Sequence, residues 1–290
     1  MTFFTVCHPA VTALYVLLLS LTVSVAFHPL LSLLSFCGGA LFYTLCGGKK
    51  RMHVYACLFI AAMTLLNPLF SRKGTTVLLV LNGNPVTAES LFFGAFSAVT
   101  VLAVLYWVSA FGRFLTSDRL LYLFGAVSPK AGLVFSIALR YLPLLGRRAA
   151  AVREAAKANG LYGDGNWIDR FRSEVQVFSA VTTYALEKGV LTADSMEARG
   201  IGVGRRTSYT PFRFRRADGA LLAFVLLAAA VPLTLSFTGG IAFGFYPVLT
   251  PPADGLAVWG AVLTYGALCA APAILYGREE LKWKRLRSAA

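Results

Sequence analysis

The chain has 290 residues, of which 57% are hydrophobic and only 14% are charged, and its formal net charge is +14. This composition exceeds the apolar content that a soluble core requires and is typical of membrane proteins. The basic residues flank apolar segments and lack the interleaved aromatic residues of a nucleic-acid surface. We therefore expect contact with anionic membrane lipid and no nucleic-acid partner.

Six apolar runs are each close to the roughly 20 residues that a helix needs to cross a bilayer. They lie at residues 10–27, 30–46, 53–70, 89–111, 219–237 and 256–276. The first two runs are joined only by Phe27, His28 and Pro29, so they form either a tight hairpin or one broken segment that re-enters the membrane. The sequence predicts an all-α polytopic membrane protein with about six transmembrane helices and an inserted block of long cytoplasmic helices.

The positions of lysine and arginine predict the orientation, because these residues resist translocation near span ends. With six spans, 25 of the 27 basic residues fall on one side and only Arg72 and Lys73 on the other. We therefore expect a multi-pass protein of the plasma or inner membrane with both termini in the cytoplasm.

The segment 71–88 then lies outside the cell. Its β-branched run Thr75–Val80, followed by a turn signal at residues 81–83, predicts a short hairpin that covers the outer face as a lid. A catalytic role inside the membrane would require an ionisable residue within a span, and Glu89 at a span edge is the candidate.

Composition divides the chain into four parts. These are four N-terminal spans at 1–111, a polar and basic block at 112–217, two further spans at 218–277 and a basic cytoplasmic tail at 278–290, with Trp283 at the membrane interface. The block is about a hundred residues long and contains 17 of the 27 basic residues.

Serines mark the first helix starts in this block. Ser117 and Ser128 can each cap a helix. The helix after Ser128 should break or kink at Pro143, and an alanine-rich helix should follow it as far as Gly160.

A further helix is predicted from Asn166. One stripe of this helix is apolar, and we expect it to be buried against other helices or the inner membrane surface; its members are Trp167, Phe171, Val175 and Phe178. Gly189 predicts a break, after which Thr192–Ser195 can cap a short helix that ends at Gly200. Gly202, Gly204 and the basic run Arg205–Arg216 then lead to the fifth span.

The sequence shows no pattern for catalysis or for binding a metal or a nucleotide. Its three histidines are isolated, its five cysteines have no metal-binding spacing, and no phosphate-binding glycine loop is present. We expect no cofactor on this chain, so any energy from ATP must come from a partner.

Two helix ends in the block have a similar form, at Glu154–Gly160 and Ser195–Gly200. Small residues three or four apart make a smooth stripe that fits a partner groove, and a polar residue before the glycine reaches outward. Arg199 offers five donors for a carboxylate or carbonyl cluster.

With these motifs the sequence resembles the transmembrane T components of energy-coupling factor transporters, the EcfT/CbiQ family. Ala198–Gly200 matches the second Ala-Arg-Gly signature of the family. Ala158–Gly160 occupies the place of the first, but Asn159 stands where arginine is usual, so this contact should be a weaker, neutral hydrogen bond. The resemblance also includes Asn67–Phe70, Leu81–Pro85, Ser117–Leu120 and Leu139–Pro143.

The resemblance implies a non-catalytic, energy-coupling subunit of an importer for vitamins or for metal ions such as cobalt. Two cytoplasmic ATPases with ATP and Mg would each receive one helix end, and a membrane S component would bind the substrate. The implied ATPase-coupling residues are Ala156, Ala158, Asn159, Gly160, Met196, Glu197, Ala198, Arg199 and Gly200. The residues implied to face the membrane or the S component are Asn67, Pro68, Arg140 and Pro143.

The alternative is a conventional ABC importer permease, because Glu154–Gly160 also resembles the EAA-type coupling loop of those proteins. Such loops continue to an Ile-x-Leu-Pro ending, whereas this chain has Trp167–Arg172 in the corresponding stretch. The permease interpretation also leaves Ala198–Gly200 unexplained.

Overall fold

A computed structural model of the chain describes residues 7–71, 74–81, 84–163, 165–201, 212–250 and 255–288. The helices are α1 (Pro9–Val25), α2 (Pro29–Leu45), α3 (Arg51–Phe70), α4 (Ala88–Phe111), α5 (Ser117–Val127), α6 (Pro129–Ala158), α7 (Trp167–Ala198), α8 (Arg216–Phe237) and α9 (Gly255–Ser288). This architecture confirms the predicted all-α fold class. The basic run Arg205–Arg216 lies mostly outside the described residues, as do Gly202, Gly204 and the side chain of Trp283.

An antiparallel hairpin between α3 and α4 consists of β1 (Val77–Leu81) and β2 (Asn84–Thr87). It confirms the hairpin that the β-branched run predicts. The turn residues Asn82 and Gly83 lie outside the described residues.

Among the described residues, four helices are long and apolar enough to cross a membrane: α3, α4, α8 and the Gly255–Lys282 part of α9. The apolar helices α1 and α2 have 17 residues each and are therefore only about 25 Å long. That length is at the lower limit for a spanning helix. All six lie at the predicted apolar runs, and the chain is a multi-pass membrane protein.

The first two helices are separate, and each begins with the same local chemistry. His8 and His28 are their N-caps, and Pro9 and Pro29 follow at the first helical positions. Proline is favourable there because the first helical amide has no partner within the helix. α1 packs mainly against α4 and α8, whereas α2 packs mainly against α4 and α9, so the two helices do not form a tight pair.

The chain forms two compact units. We call α1–α4, the β-hairpin, α8 and α9 the membrane unit, and α5–α7 the arm unit. The membrane unit has an aromatic core, and its largest fully buried side chains include Tyr15, Phe42, Tyr106, Trp107, Phe111 and Tyr265. Trp107 Nε1 and Tyr265 Oη both donate to Ser35 Oγ at 3.0 Å. These bonds fix α4 and α9 against α2.

Helices α6 and α7 of the arm unit form a helical hairpin, and the unit as a whole has little buried surface. Among its described residues only Arg119, Ser173 and Val177 are buried. α6 and α7 run antiparallel, since the start of α7 lies beside the end of α6 and Thr192 lies beside Tyr141. The exposed apolar side chains of these helices predict that another molecule, protein or lipid, covers them.

The predicted break at Gly189 is wrong, and Pro143 does not break its helix either, because α6 and α7 run through these residues for 30 and 32 residues. Proline removes one hydrogen bond and glycine costs about 1 kcal/mol relative to alanine, but neighbouring good helix formers outweigh both effects. The Thr192 hydroxyl donates to the Lys188 carbonyl at 2.6 Å within α7, so it does not cap a new helix.

Within this chain the apolar stripe of α7 is exposed. The prediction that other helices of the chain bury this stripe is therefore wrong. The exposed fractions are 79% for Trp167, 64% for Phe171, 49% for Val175 and 71% for Phe178. The physical reason is that a different face of α7 meets α6, the one with the buried residues Ser173 and Val177.

Candidate functional site

The two helix ends that the sequence singles out have the same backbone geometry. We call Ala156–Gly160 the first tip and Met196–Gly200 the second tip. At the first tip the Leu161 amide donates to the Ala156 carbonyl at 2.9 Å, and the Gly160 amide donates to the Lys157 carbonyl at 3.1 Å. Gly160 has φ +67°, a left-handed conformation that favours glycine. This pattern is the Schellman motif of helix C-termini.

The second tip repeats this motif. The Ile201 amide donates to the Met196 carbonyl at 3.1 Å, and the Gly200 amide donates to the Glu197 carbonyl at 2.8 Å. Gly200 has φ +72°. Residue by residue, the two ends differ in their side chains and not in their backbone.

Exposure is also the same at the two tips. Ala156 and Met196, which begin them, are half-buried, and the other residues are exposed: Lys157, Ala158, Asn159, Gly160, Glu197, Ala198, Arg199 and Gly200. Asn159 and Arg199 both occupy the C-cap position, with φ −88° and −85° and ψ 5° at each. The backbone therefore presents an amide at one end and a guanidinium at the other in equivalent positions.

The tips lie at opposite ends of the arm unit, because α6 and α7 are antiparallel and both tips are C-termini. α7 has 32 residues and is about 48 Å long at 1.5 Å per residue. One small globular partner cannot cover both tips at that separation, since a 100-residue domain has a radius of gyration of about 13 Å.

The first tip is braced by a charged cluster. Glu174 on α7 accepts two bonds of 2.7 Å from Nε and Nη2 of Arg153 on α6, and a third of 2.7 Å from Tyr162 Oη. The Lys157 ammonium lies 4.9 Å from the centre of the Tyr162 ring. The bonds from Arg153 and Tyr162 lower the pKa of the Glu174 carboxyl to about 2.

Tyr162 and Arg153 respond to the same cluster. The hydrogen bond to Glu174 raises the pKa of Tyr162 and that of Arg153 above their ordinary values. All three groups therefore keep their normal charge states at neutral pH, and the connection between α6 and α7 stays closed.

The brace near the second tip is neutral and farther from it. Tyr141 Oη on α6 and Thr192 Oγ1 on α7 lie 2.6 Å apart, seven residues before Arg199. Arg148 also lies over the Tyr184 ring, 4.8 Å from its centre. The second tip thus presents the guanidinium of Arg199, which can form stronger contacts with a partner than an amide can. The connection between α6 and α7 near this tip is weaker than the one near the first tip.

An open depression of about 430 Å³ lies beside the first tip at the start of α7. Trp167, Phe171 and Arg170 line it together with Glu174. It offers an apolar, partly basic surface next to the exposed helix end. Among the described residues, no group of three or more histidine, cysteine or acidic side chains is arranged to hold a metal ion.

Comparison with known proteins finds EcfT relatives from several species. The chain is 30% identical over 179 residues to the energy-coupling factor transporter transmembrane protein EcfT of Listeria innocua, and the match covers 57% of this chain and 66% of that protein. It is 28% identical over 98 residues to EcfT of Lactococcus lactis subsp. cremoris and 29% identical over 98 residues to EcfT of Streptococcus equi subsp. equi. These relatives are all EcfT proteins, in agreement with the resemblance that the motifs of this chain indicate.

The chain spans 66% of the Listeria innocua relative, 37% of the Lactococcus lactis protein and 36% of the Streptococcus equi protein. No protein-family model matches it. The similarity to these transporter transmembrane proteins agrees with the apolar helices of the chain.

The residues that the EcfT resemblance assigns to the S-component side divide into two pairs. The side chain of Asn67 donates to the Ser90 carbonyl at 2.7 Å, and Pro68 is buried, so both are used inside the membrane unit. Pro68 also does not end its helix, since α3 continues to Phe70. Arg140 and Pro143 are exposed on α6 and are free to meet a partner.

Glu89 connects the β-hairpin to α4. It is 2% exposed, and Oε1 accepts from Thr75 Oγ1 and from the Thr76 amide, both at 3.2 Å. The carboxylate therefore holds the chain that enters β1, and this arrangement explains its burial without a catalytic role.

Sequence reasoning missed the apolar residues that follow the two glycines and the cluster around Glu174. Leu161 and Ile201 complete the Schellman motifs with their amides, and an apolar residue after a C-terminal glycine is the signal that indicates them. Arg153, Tyr162 and Glu174 have no comparable signal, because their contacts join residues 12 and 21 positions apart.

Proposed function

We propose that the chain is the energy-coupling membrane subunit of an importer of the energy-coupling factor type, without catalytic activity of its own. Each tip would bind one cytoplasmic ATPase that carries ATP and Mg. A separate membrane S component would bind the substrate, a vitamin or a metal ion. The support for this proposal is the pair of exposed tips with matching backbones at opposite ends of an antiparallel hairpin.

The chemistry of the tips fits such partners. A smooth helix end with Ala158 or Ala198 beside the C-cap can enter a groove deeply, and Arg199 can form charge-assisted bonds with carboxylates or carbonyls there. Asn159 forms neutral hydrogen bonds instead. The second tip should therefore contribute more of the ATPase affinity than the first.

The exposed apolar faces of α6 and α7 would be covered by the S component and by membrane lipid. On α6, Val134 and Leu142 are each 65% exposed, and Arg140 and Pro143 are exposed between and beside them. Desolvation of such a surface stabilises an interface by roughly 25 cal/mol per Å² of apolar area. The arm would thus contact both the soluble and the membrane partners.

Transmission of movement requires a body that does not bend between the tips. Two helices of 30 and 32 residues, joined by the Arg153–Glu174 ion pair near one end and by Tyr141 and Thr192 toward the other, meet that requirement. When the ATPases close on ATP, displacement of the tips would move the hairpin as one element against the S component. Both chain termini would lie on the cytoplasmic side.

The test is co-expression with the two ATPases and an S component, followed by purification of the complex and measurement of ATP-dependent uptake. We expect Arg199→Glu to leave the chain in the membrane but to abolish both ATPase co-purification and uptake. The matched control is Arg172→Glu, at an exposed position on the same helix far from the tip. Normal uptake with Arg199→Glu would refute the proposal.

A further inference from the structure

The membrane unit contains an aromatic cavity that the proposed function does not use. It has a volume of about 470 Å³ and is lined by His28, Phe92, Phe96, Phe243, Phe245 and Trp259, among others. These residues come from the ends of apolar helices and from the segment between α8 and α9. A cavity of this size and apolar lining is within the range of ligand-binding sites.

Among the described residues that line the cavity, His28 is the polar one, and part of its hydrogen-bonding capacity is unused. The residue is 5% exposed, and its Nδ1 accepts from the Leu30 amide at 3.2 Å as the N-cap of α2. A neutral imidazole that accepts at Nδ1 carries its proton on Nε2. Within the described part of the chain, Nε2 has no hydrogen-bond partner, so the ring has one donor left in an otherwise apolar site.

The depth of this donor limits what the ligand can be. His28 directly precedes α2, and Trp259 is the fifth residue of α9. Both therefore lie where apolar helices begin, at the boundary between hydrocarbon and headgroups, which is the depth that tryptophan prefers. Phospholipid ester carbonyls occur at this boundary, with acyl chains extending inward from it.

The geometry points to a phospholipid-binding site in this cavity. One acyl chain of a bilayer phospholipid occupies the aromatic space, and its ester carbonyl accepts a hydrogen bond from His28 Nε2. A polar solute would leave its own groups unpaired against phenylalanine walls, whereas an acyl chain with one acceptor at its end satisfies both features of the site.

Photolabelling can test this site with the full chain in vesicles. The probe is phosphatidylcholine with a diazirine in one acyl chain, diluted into vesicles of ether-linked phosphatidylcholine, which lacks the ester carbonyl. We expect labelling of Phe245 and Val258, which are only 6% and 8% exposed and which surrounding lipid cannot reach. Unlabelled ester-linked phosphatidylcholine should compete, and free palmitic acid at the same concentration should not.

Three variants locate the lipid. Leu30→Trp fills the mouth of the cavity, where Leu30 is 45% exposed, and should reduce labelling of the two buried residues at least tenfold. Leu33→Trp is the matched control, since Leu33 is 41% exposed on the same helix but does not line the cavity, and it should label like the parent chain. His28→Asn retains an N-cap acceptor but loses the ring donor, and should lower labelling about fivefold, as expected for one neutral hydrogen bond.

The proposal is overturned if Phe245 and Val258 are unlabelled in the parent chain, or if palmitic acid competes as well as phosphatidylcholine. Equal labelling of the Leu30→Trp and Leu33→Trp variants overturns it too, because the label would then come from outside the cavity. Loss of labelling in all three variants, each with unchanged helix content, also overturns the proposal, because the control Leu33→Trp should keep its labelling. None of these results depends on the ATPases, so they are independent of the proposed function.

Discussion

The first and second tips are nearly a controlled comparison within one chain. Their backbones agree hydrogen bond for hydrogen bond, and their C-cap residues agree within a few degrees. Their side chains differ, with an amide at Asn159 and a guanidinium at Arg199. The comparison teaches that glycine at the position after the C-cap determines how a helix ends, while the residue before it is free to set the strength of a contact.

The largest effect is expected from exchanging the two C-cap side chains. Arg199→Asn should weaken ATPase binding by about 30-fold to several thousand-fold, because loss of one partner of a buried charged contact costs about 2–5 kcal/mol and 1.4 kcal/mol is tenfold. Adding Asn159→Arg to that variant should recover at least tenfold, since the first tip presents its side chain in the same way. Affinity measured by titration of ATPase onto the reconstituted chain decides this.

If the double variant recovers nothing, the two tips are not equivalent, and their surroundings matter more than their backbones. Asn159→Ala alone should have a mild effect. A defect as large as that of Arg199→Asn would reverse our ranking of the tips.

A smaller effect is expected when the glycines are replaced. Gly200→Val and Gly160→Val place a β-carbon in the left-handed region at a cost of about 1–2 kcal/mol, so each should weaken ATPase binding roughly tenfold. Hydrogen exchange of the Ile201 or Leu161 amide should accelerate in the same variant. Gly200→Asn is the control, because asparagine tolerates this conformation, and it should retain most of the binding.

The neutral brace near the second tip should contribute less. Tyr141→Phe removes its hydrogen bond to Thr192 and should destabilise the end of α7 by about 1 kcal/mol, visible as faster amide exchange in its last turns. Tyr184→Phe removes a hydroxyl that has no hydrogen bond among the described residues, so it should leave exchange unchanged. Equal effects of the two variants would contradict a role for the brace.

The smallest effect concerns the charged brace of the first tip and depends on pH. Hydrogen bonds lower the pKa of Glu174 to about 2, so its contribution to stability is complete above the ordinary glutamate pKa of about 4.5 and is lost as pH falls toward 2. Because Arg153 and Glu174 are 39% and 38% exposed, solvent screening keeps the contribution modest.

Trp167 lines the same depression as Glu174 and can report this loss through its fluorescence. The parent chain should show a change in emission below pH 4.5 that Glu174→Gln lacks. An identical pH profile in both proteins would mean that the brace does not hold the start of α7.

The parts of this fold that were predictable from sequence are those with local causes. Glycine after a helix end predicts Gly160 and Gly200 as terminators, and serine before proline predicts the start of α6 at Ser128. Pro143 and Gly189 do not break their helices, because the good helix formers on either side of each residue outweigh a local penalty of about one to a few kcal/mol.

The covering of a helix face is not a local property. The spacing of Trp167, Phe171 and Phe178 shows correctly that they share a face of α7, but it cannot show what lies against that face. The Arg153–Glu174 pair was likewise invisible, since its partners meet only through the antiparallel packing of α6 and α7. The candidate site was thus predictable in its helix ends and unpredictable in its bracing.

The buried carboxylate of Glu89 has a consequence for the outside of the molecule. It holds Thr75 and Thr76 at the root of β1, and a β-carbon at Gly74 would lie 2.7 Å from its Oε2 atom, so the strand is fastened to the start of α4. The hairpin therefore cannot swing as a hinged flap while α4 stays still. Any opening of the membrane unit at this point must be a displacement of α4 itself.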